Sequence, residues 1–289
     1  MKRGSKSIKN LKSLGIISCY FGKLPWYFEY FTLSCKYNQS IHFFIVTDDV
    51  SYAKELPSNV RLIYMSLTEL NAIASKKLGF FIDIKYGYKL CDFKPAYGLL
   101  FSNLLEKYDF WGYGDIDVIF GNIRNFITND ILTQYELVSG RPDWVPGCFL
   151  ILKNDEKMNT LFTYSRDYFK VFTNDYCYGF DETNYAHDAF TDGKTYDEIN
   201  TEIESMTHVV KKIEKRGEVK AYFNLHIIEG IPGKIKWDKG KLIYRGKFEA
   251  LLYHLIYFKK VYTPRQDSKI PSESFTISQK KIYHQGKIV

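Results

Sequence analysis

Four short apolar runs, each ended by glycine, proline or an acidic pair or flanked by such breakers, restrict what this chain can fold into. They are Gly15-Ile-Ile-Ser-Cys-Tyr-Phe21, Ile41-His-Phe-Phe-Ile-Val-Thr47, Val60-Arg-Leu-Ile-Tyr-Met65 and the stretch from Tyr108 to Tyr113. Runs of this length and composition read as buried strands. Helical patterns lie between them. One is aromatic and begins near Trp26; another follows Asp92, where Pro95 suits a first helical turn and Ala96, Leu99, Leu100 and Leu104 form one apolar stripe. Short strands alternating with helices argue for an α/β chain with a mostly parallel central sheet flanked by helices.

After Asp117 the pattern loosens toward α+β. Glu136 to Ser139 and Gly147 to Lys153 are strand-like, and a helix is expected through Met158, Leu161, Phe162, Ser165 and Phe169. Asp238-Lys239-Gly240 between two apolar runs is a hairpin signal. The 289 residues, 45% of them hydrophobic, suffice for one full core, which excludes a disordered chain or a disulfide scaffold. Cys19, Cys35, Cys91, Cys148 and Cys177 form no Cys-x-x-Cys pair, so reduced core thiols and a cytoplasmic setting are expected. No apolar run reaches the roughly 18 to 20 residues that span a bilayer.

The formal charge of +7 comes from lysines spread along the chain and clustered at Lys2 to Lys12 and Lys280 to Lys287. Such ends read as solvated tails, or as weak attractors of anionic membrane lipid or a phosphorylated substrate. No nucleic-acid motif accompanies them, so nucleic acid is not an expected partner.

The chemistry concentrates at Gly114-Asp115-Ile116-Asp117, which closes the fourth apolar run. Side chains two apart on a strand point the same way, so Asp115 and Asp117 present two carboxylates to one volume beyond the sheet edge. Nucleotides bind at that edge in open α/β sheets. Two hard oxygen ligands suit Mn²⁺ or Mg²⁺. The plainer reading is a solvated strand end, but Phe110, Trp111, Tyr113, Ile119 and Phe120 surround the pair with apolar residues, where unpaired carboxylates are costly.

Gly15 to Tyr20, Thr47-Asp48-Asp49 and Phe110 to Phe120 together resemble a GT-A-fold glycosyltransferase that uses a nucleotide sugar. Cys91 to Tyr97 and Asp115 to Asn122 are similar to a bacterial family of unassigned function whose members accompany surface-polysaccharide synthesis. The resemblance implies one GT-A-like domain over residues 15–262, with a nucleotide-binding half at 15–125 and an acceptor-side half at 126–262. A basic lead (1–14) and a basic tail (263–289) would flank it.

Residue by residue, the resemblance implies donor contacts at Ser18, Tyr20 and Phe21, and a base or ribose contact at Asp48 or Asp49. It implies phosphate contacts at Lys94, Lys259 and Lys260, and a third metal ligand at His254. Asp181 or Glu182, read as the start of a helix through Tyr185 and Phe190, would remove the acceptor proton, with Asp143 in reserve. A product that retains the donor's configuration needs no such base. Gly147 would let the backbone approach the donor sugar, and Trp144 would stack on a sugar face. Each position also has an ordinary structural reading, as strand packing, cap, surface lysine or core residue.

The expected activity is transfer from a nucleotide donor of the UDP-sugar type to a saccharide or lipid-linked saccharide acceptor. It would take place in the cytoplasm, peripherally at the inner face of the cell membrane. A nucleotidyltransferase would want a glycine-rich phosphate loop near the first strand, where only Gly15 and Gly22 occur. A non-catalytic carbohydrate-binding module would use the 24 tyrosines and 22 phenylalanines as contact surface.

Overall fold

A computed structural model describes residues 11–230, 233–264 and 271–284. The lysine-rich lead up to residue 10 and the last five residues of the basic tail lie outside the described residues.

The first three strands, β1 (Leu14–Cys19), β2 (Ile41–Thr47) and β3 (Val60–Tyr64), are followed by β4 (Phe110–Gly114) and β5 (Val118–Phe120). Next come β6 (Leu137–Ser139), β7 (Phe149–Lys153) and β8 (Ala221–Phe223). All but β5 join one seven-stranded sheet in the order β3-β2-β1-β4-β7-β6-β8. Only β7 runs against its neighbours. The remaining pairs, β1 with β2 and β4, β2 with β3, and β6 with β8, are parallel.

The apolarity of the inner strands follows from burial on both faces, while the edge strand β3 exposes Arg61 and Tyr64. Ile16, Phe43 and Ile45 enter one core with helix α1 (Phe28–Lys36), while Ile17, Phe44 and Val46 enter a second on the opposite face. Helices α2 (Leu67–Leu78) and α3 (Met206–Lys215) cover that second face. A Ser66–Glu69 capping box starts α2, and Gly79, at φ 82°, ends it.

Two smaller sheets complete the described chain. β9 (Ile227–Ile228), β10 (Ile235–Asp238), β11 (Lys241–Tyr244), β12 (Phe248–Glu249) and β13 (Leu252–His254) precede β14 (Ser274–Ile277) and β15 (Ile282–His284). A five-stranded antiparallel sheet, β12-β11-β10-β14-β15, contains the expected hairpin at Lys239–Gly240. Trp237 anchors it to the main body, fully buried and donating from Nε1 to the Phe120 carbonyl at 2.8 Å. The expected tail is therefore corrected in its described part: Phe275 and Ile277 are core residues.

Two expected helices are broken. From Gly87 to Leu105 the chain makes five short helical turns rather than one helix, because Pro95 donates no backbone hydrogen bond and Gly98 is pressed against the Trp111 ring. Between Glu156 and Thr173, side chains compete for backbone groups: Ser165 Oγ donates to Glu204 O and accepts from Asp167 N. Phe169 consequently points outward, 55% exposed. Among the described residues no helix is long and apolar enough to cross a membrane.

Candidate functional site

The chain steps from β1 to β2 to β3 on one side and then returns to place β4 on the other, so the strand order reverses between β1 and β4. Loops leave such a point in opposite directions and open a crevice at the carboxyl ends of the strands. There lies a cleft of about 560 Å³, lined by Cys19 to Phe21 after β1 and Asp115 to Asp117 after β4. Asp181, Glu182, His254, Lys259 and Lys260 close it from the second half of the chain.

Strand pairing brings His254 to Asp117. β13 runs antiparallel to β5 with His254 opposite Val118, and Leu255 N donates to Asp117 O at 2.8 Å. Gly121 permits this approach, since a side chain there would collide with the Ala250 carbonyl. His254 Nε2 then stands 3.5 Å from Asp117 Oδ1. Asp115, Asp117 and His254 each offer a ligand atom, and these atoms all lie within 4.8 Å of one another.

β9 runs parallel to β13, pairing Ile228 with Tyr253, and so sets Glu229 beside His254. Glu229 Oε1 lies 3.0 Å from His254 Nδ1, while Arg141 holds the other carboxylate oxygen at 2.5 Å. Glu229 thus fixes the ring with Nε2 toward Asp117. Cys148, Glu229 and His254 form a second group of clustered donor atoms behind the first.

A family model described as a family of unknown function (DUF6625) matches residues 16–286. The chain belongs to this family. The DUF6625 match runs from β1 through β15 and takes in every element that borders the cleft. No curated protein matches the chain.

Two lysines hold the acidic pair of this DUF6625 protein. Buried Lys94 sits 2.7 Å from Asp115 Oδ1, 3.1 Å from Asp181 Oδ2 and 3.0 Å from the Gly147 carbonyl. Lys259 donates to Asp117 Oδ2 at 2.6 Å. Burial favours a neutral Asp117, but hydrogen bonding and charge from His254, together with Lys259, outweigh it and hold the carboxyl well below its ordinary value. Burial likewise disfavours charge on His254, yet Cys148, Asp117 and Glu229 around the ring raise it well above 6.5.

Asp181 and Glu182 do not open a helix, because the next helical segment is His187–Thr191. They occupy a turn tied down by Asp92, which accepts from Tyr178 N at 2.9 Å and Phe180 N at 2.8 Å and is itself paired with buried Lys89 at 2.8 Å. Their environments push them apart. Burial, against the pull of Lys94 and with Glu182 adding negative charge, raises Asp181 well above the ordinary carboxylate value. Burial also works on Glu182, but a 2.9 Å contact with His187 and a hydrogen bond from Gly147 N help lower it to about 2.

Other expectations land elsewhere. Ser18 is buried beneath the cleft and does not line it, whereas Tyr20 and Phe21 do. Asp48 and Asp49 also lie outside the lining. They accept from Gly22 N at 2.6 Å and Leu24 N at 2.8 Å, fixing the loop after β1. Asp143 is held by Arg141 at 2.8 Å. Trp144 is buried, with the Arg141 guanidinium 3.4 Å from its ring centre, so its face is not open to a sugar. Lys94 is an internal ion-pair partner, while Lys260 is exposed at the cleft.

Sequence reading missed Glu229, Arg141 and His187. Glu229 and Arg141 are remote in the chain from the residues they orient, His254 and Glu229, and only the five-residue spacing of Glu182 and His187 is a local signal.

Proposed function

We propose that this protein is a metal-dependent glycosyltransferase of GT-A-like architecture, transferring a sugar from a UDP-type nucleotide donor to a saccharide or lipid-linked saccharide acceptor. One observation carries the reading: the donor atoms of Asp115, Asp117 and His254 converge at the strand-order reversal, where α/β sheets receive nucleotides. Two carboxylates and an imidazole fit Mn²⁺, and fit Mg²⁺ through the carboxylates. When bound, such an ion supplies Lewis-acid neutralisation of a departing diphosphate.

The chain's own groups do the rest. Tyr20 and Phe21 border the base and ribose end of the cleft. Lys259 and exposed Lys260 offer ammonium groups to the diphosphate. Lys94 keeps Asp115 and Asp181 in fixed relation, and Glu182, ionised and held by His187 and Gly147 N, maintains negative charge beside Asp181. Asp181 accepts the acceptor hydroxyl's proton, its raised affinity for a proton suiting the task. Reaction in the cytoplasm at the inner membrane face fits a lipid-linked acceptor and the lysine-rich ends.

The test is release of UDP from UDP-sugars with Mn²⁺. The wild-type protein is expected to release it slowly, and Asp117→Ala to lose roughly 100-fold or more, as when a charge-stabilising group is removed. Equal release by the variant, or saccharide binding alone with no release from any UDP-sugar, contradicts the proposal.

A further inference from the structure

Tyr185 is built in an unusual way. Its φ is 66° and that of Asn184 is 52°, a left-handed region that bulky side chains rarely adopt. The surroundings enforce this conformation. Asn184 Nδ2 donates to Tyr178 O at 2.7 Å, Asn184 Oδ1 accepts from Glu202 N at 2.9 Å, and Tyr185 Oη donates to Cys177 O at 2.5 Å. The ring lies over Gly179, which itself adopts a left-handed φ of 61°. For all this restraint, Tyr185 remains 52% exposed, and it lines the cleft three residues beyond Glu182 and four beyond Asp181. Tyr88, 67% exposed, lines the same cleft. Strain concentrated on a solvent-facing aromatic next to paired carboxylates is what a ligand platform shows, and a packing residue would be covered.

We infer that Tyr88 and Tyr185 form a subsite for a pyranose ring, that of the sugar acceptor, an assignment that rests on the transferase reading. A pyranose presents C–H bonds on one face and hydroxyls at its edge. Exposed phenol rings take the C–H face, and the carboxylates of Asp181 and Glu182 accept hydrogen bonds from the edge. The buried, guanidinium-covered Trp144 offers no such face. A restrained ring also loses little side-chain freedom on binding.

Saturation-transfer NMR with methyl β-glucopyranoside, methyl β-galactopyranoside and uridine as probes tests the subsite without metal or donor. At least one pyranoside is expected to receive saturation from the wild-type protein, and its binding to weaken roughly two- to ten-fold in Tyr88→Ala and in Tyr185→Gly. Phe248→Ala, which removes an equally exposed aromatic on β12, is expected to change nothing. Glycine accepts the backbone angle of residue 185 without strain, so Tyr185→Gly is expected to keep its melting temperature while losing binding. Tyr88 is exposed enough for its alanine variant to fold whatever happens at 185.

Undiminished saturation in both variants overturns the inference. So does transfer to no pyranoside, or loss of uridine binding in place of pyranoside binding. The subsite stands or falls on saturation transfer alone, and the transferase reading on Mn²⁺-dependent UDP release, so the two failures are distinguishable.

Discussion

His254 faces Asp117 with one nitrogen and Glu229 with the other, so Glu229 decides which way the imidazole points. Carboxylates that orient metal-ligating histidines in this way typically govern metal affinity by 10- to 100-fold. Glu229→Ala is therefore expected to weaken Mn²⁺ binding by roughly that factor with the fold intact, as read by calorimetry. Unchanged affinity would leave Glu229 a partner of Arg141 and nothing more. The Glu182–His187 pair makes a separate prediction about pH. Burial opposes the charge on His187, but Glu182 raises its pKa above the ordinary 6.5, so this contribution is full below 6.5 and fades as the pH rises through the raised value. Glu182 is lowered from 4.5 to about 2, so its contribution is present above 4.5 and is lost as the pH falls through about 2. The melting temperature of His187→Asn should fall furthest below wild type between pH 4.5 and 6.5, and the gap should narrow at higher pH. A gap that widens above pH 8 would contradict the pairing.

Elements bring together what the chain keeps apart. Gly147, just before β7, lies against the turn that carries Asp181 and Glu182, and a methyl group there would overlap the Asp181 carboxylate. Asp181 cannot swing away freely, because Lys94 holds it. Gly147→Ala should thus cut turnover by about 100-fold, the cost of a displacement near 1 Å at a reacting group, with little change in KM for the donor. Unaltered turnover would mean that the turn yields without consequence. The sequence had marked this glycine for close approach to a sugar, while in the structure its nearest neighbours are carboxylates. The runs that form β1, β2 and β4 were legible as strands because both faces of the sheet are buried there, and Asp115 with Asp117 because their spacing is local. The turn at residues 178–186 was legible only at its opening, Tyr178-Gly179-Phe180, and its continuation through Asp181 and Glu182 was read as a helix start. Its shape depends on Asp92, nearly ninety residues earlier in the chain, and on left-handed angles at Asn184 and Tyr185 that side-chain type does not announce. The broken helix near Pro95 was half legible, since its breaker was visible while the pressure of Trp111 on Gly98 was not.

At the scale of the whole molecule, the seven-stranded sheet supplies one wall of the cleft, the small β5-β13-β9 sheet delivers His254, and the turn at residues 177–185 closes the remaining side. β5 follows Asp117 directly, so the acidic pair sits where the two sheets meet, and His254, Glu229 and Lys259 reach it through the second sheet. The five-stranded sheet, with Trp237 under Phe120, braces β5 from behind. On the proposed reading, cation binding would be a property of the assembled fold, which would link binding to stability. The most direct measurement is a titration of Mn²⁺ with UDP into the wild-type protein and Asp117→Ala, followed by the manganese paramagnetic resonance signal. The expected result is a bound, UDP-strengthened Mn²⁺ in the wild type, and its loss in a variant that remains folded. Equal Mn²⁺ binding by the two proteins, or none by the wild type, would contradict the assignment of Asp115, Asp117 and His254 as the metal site.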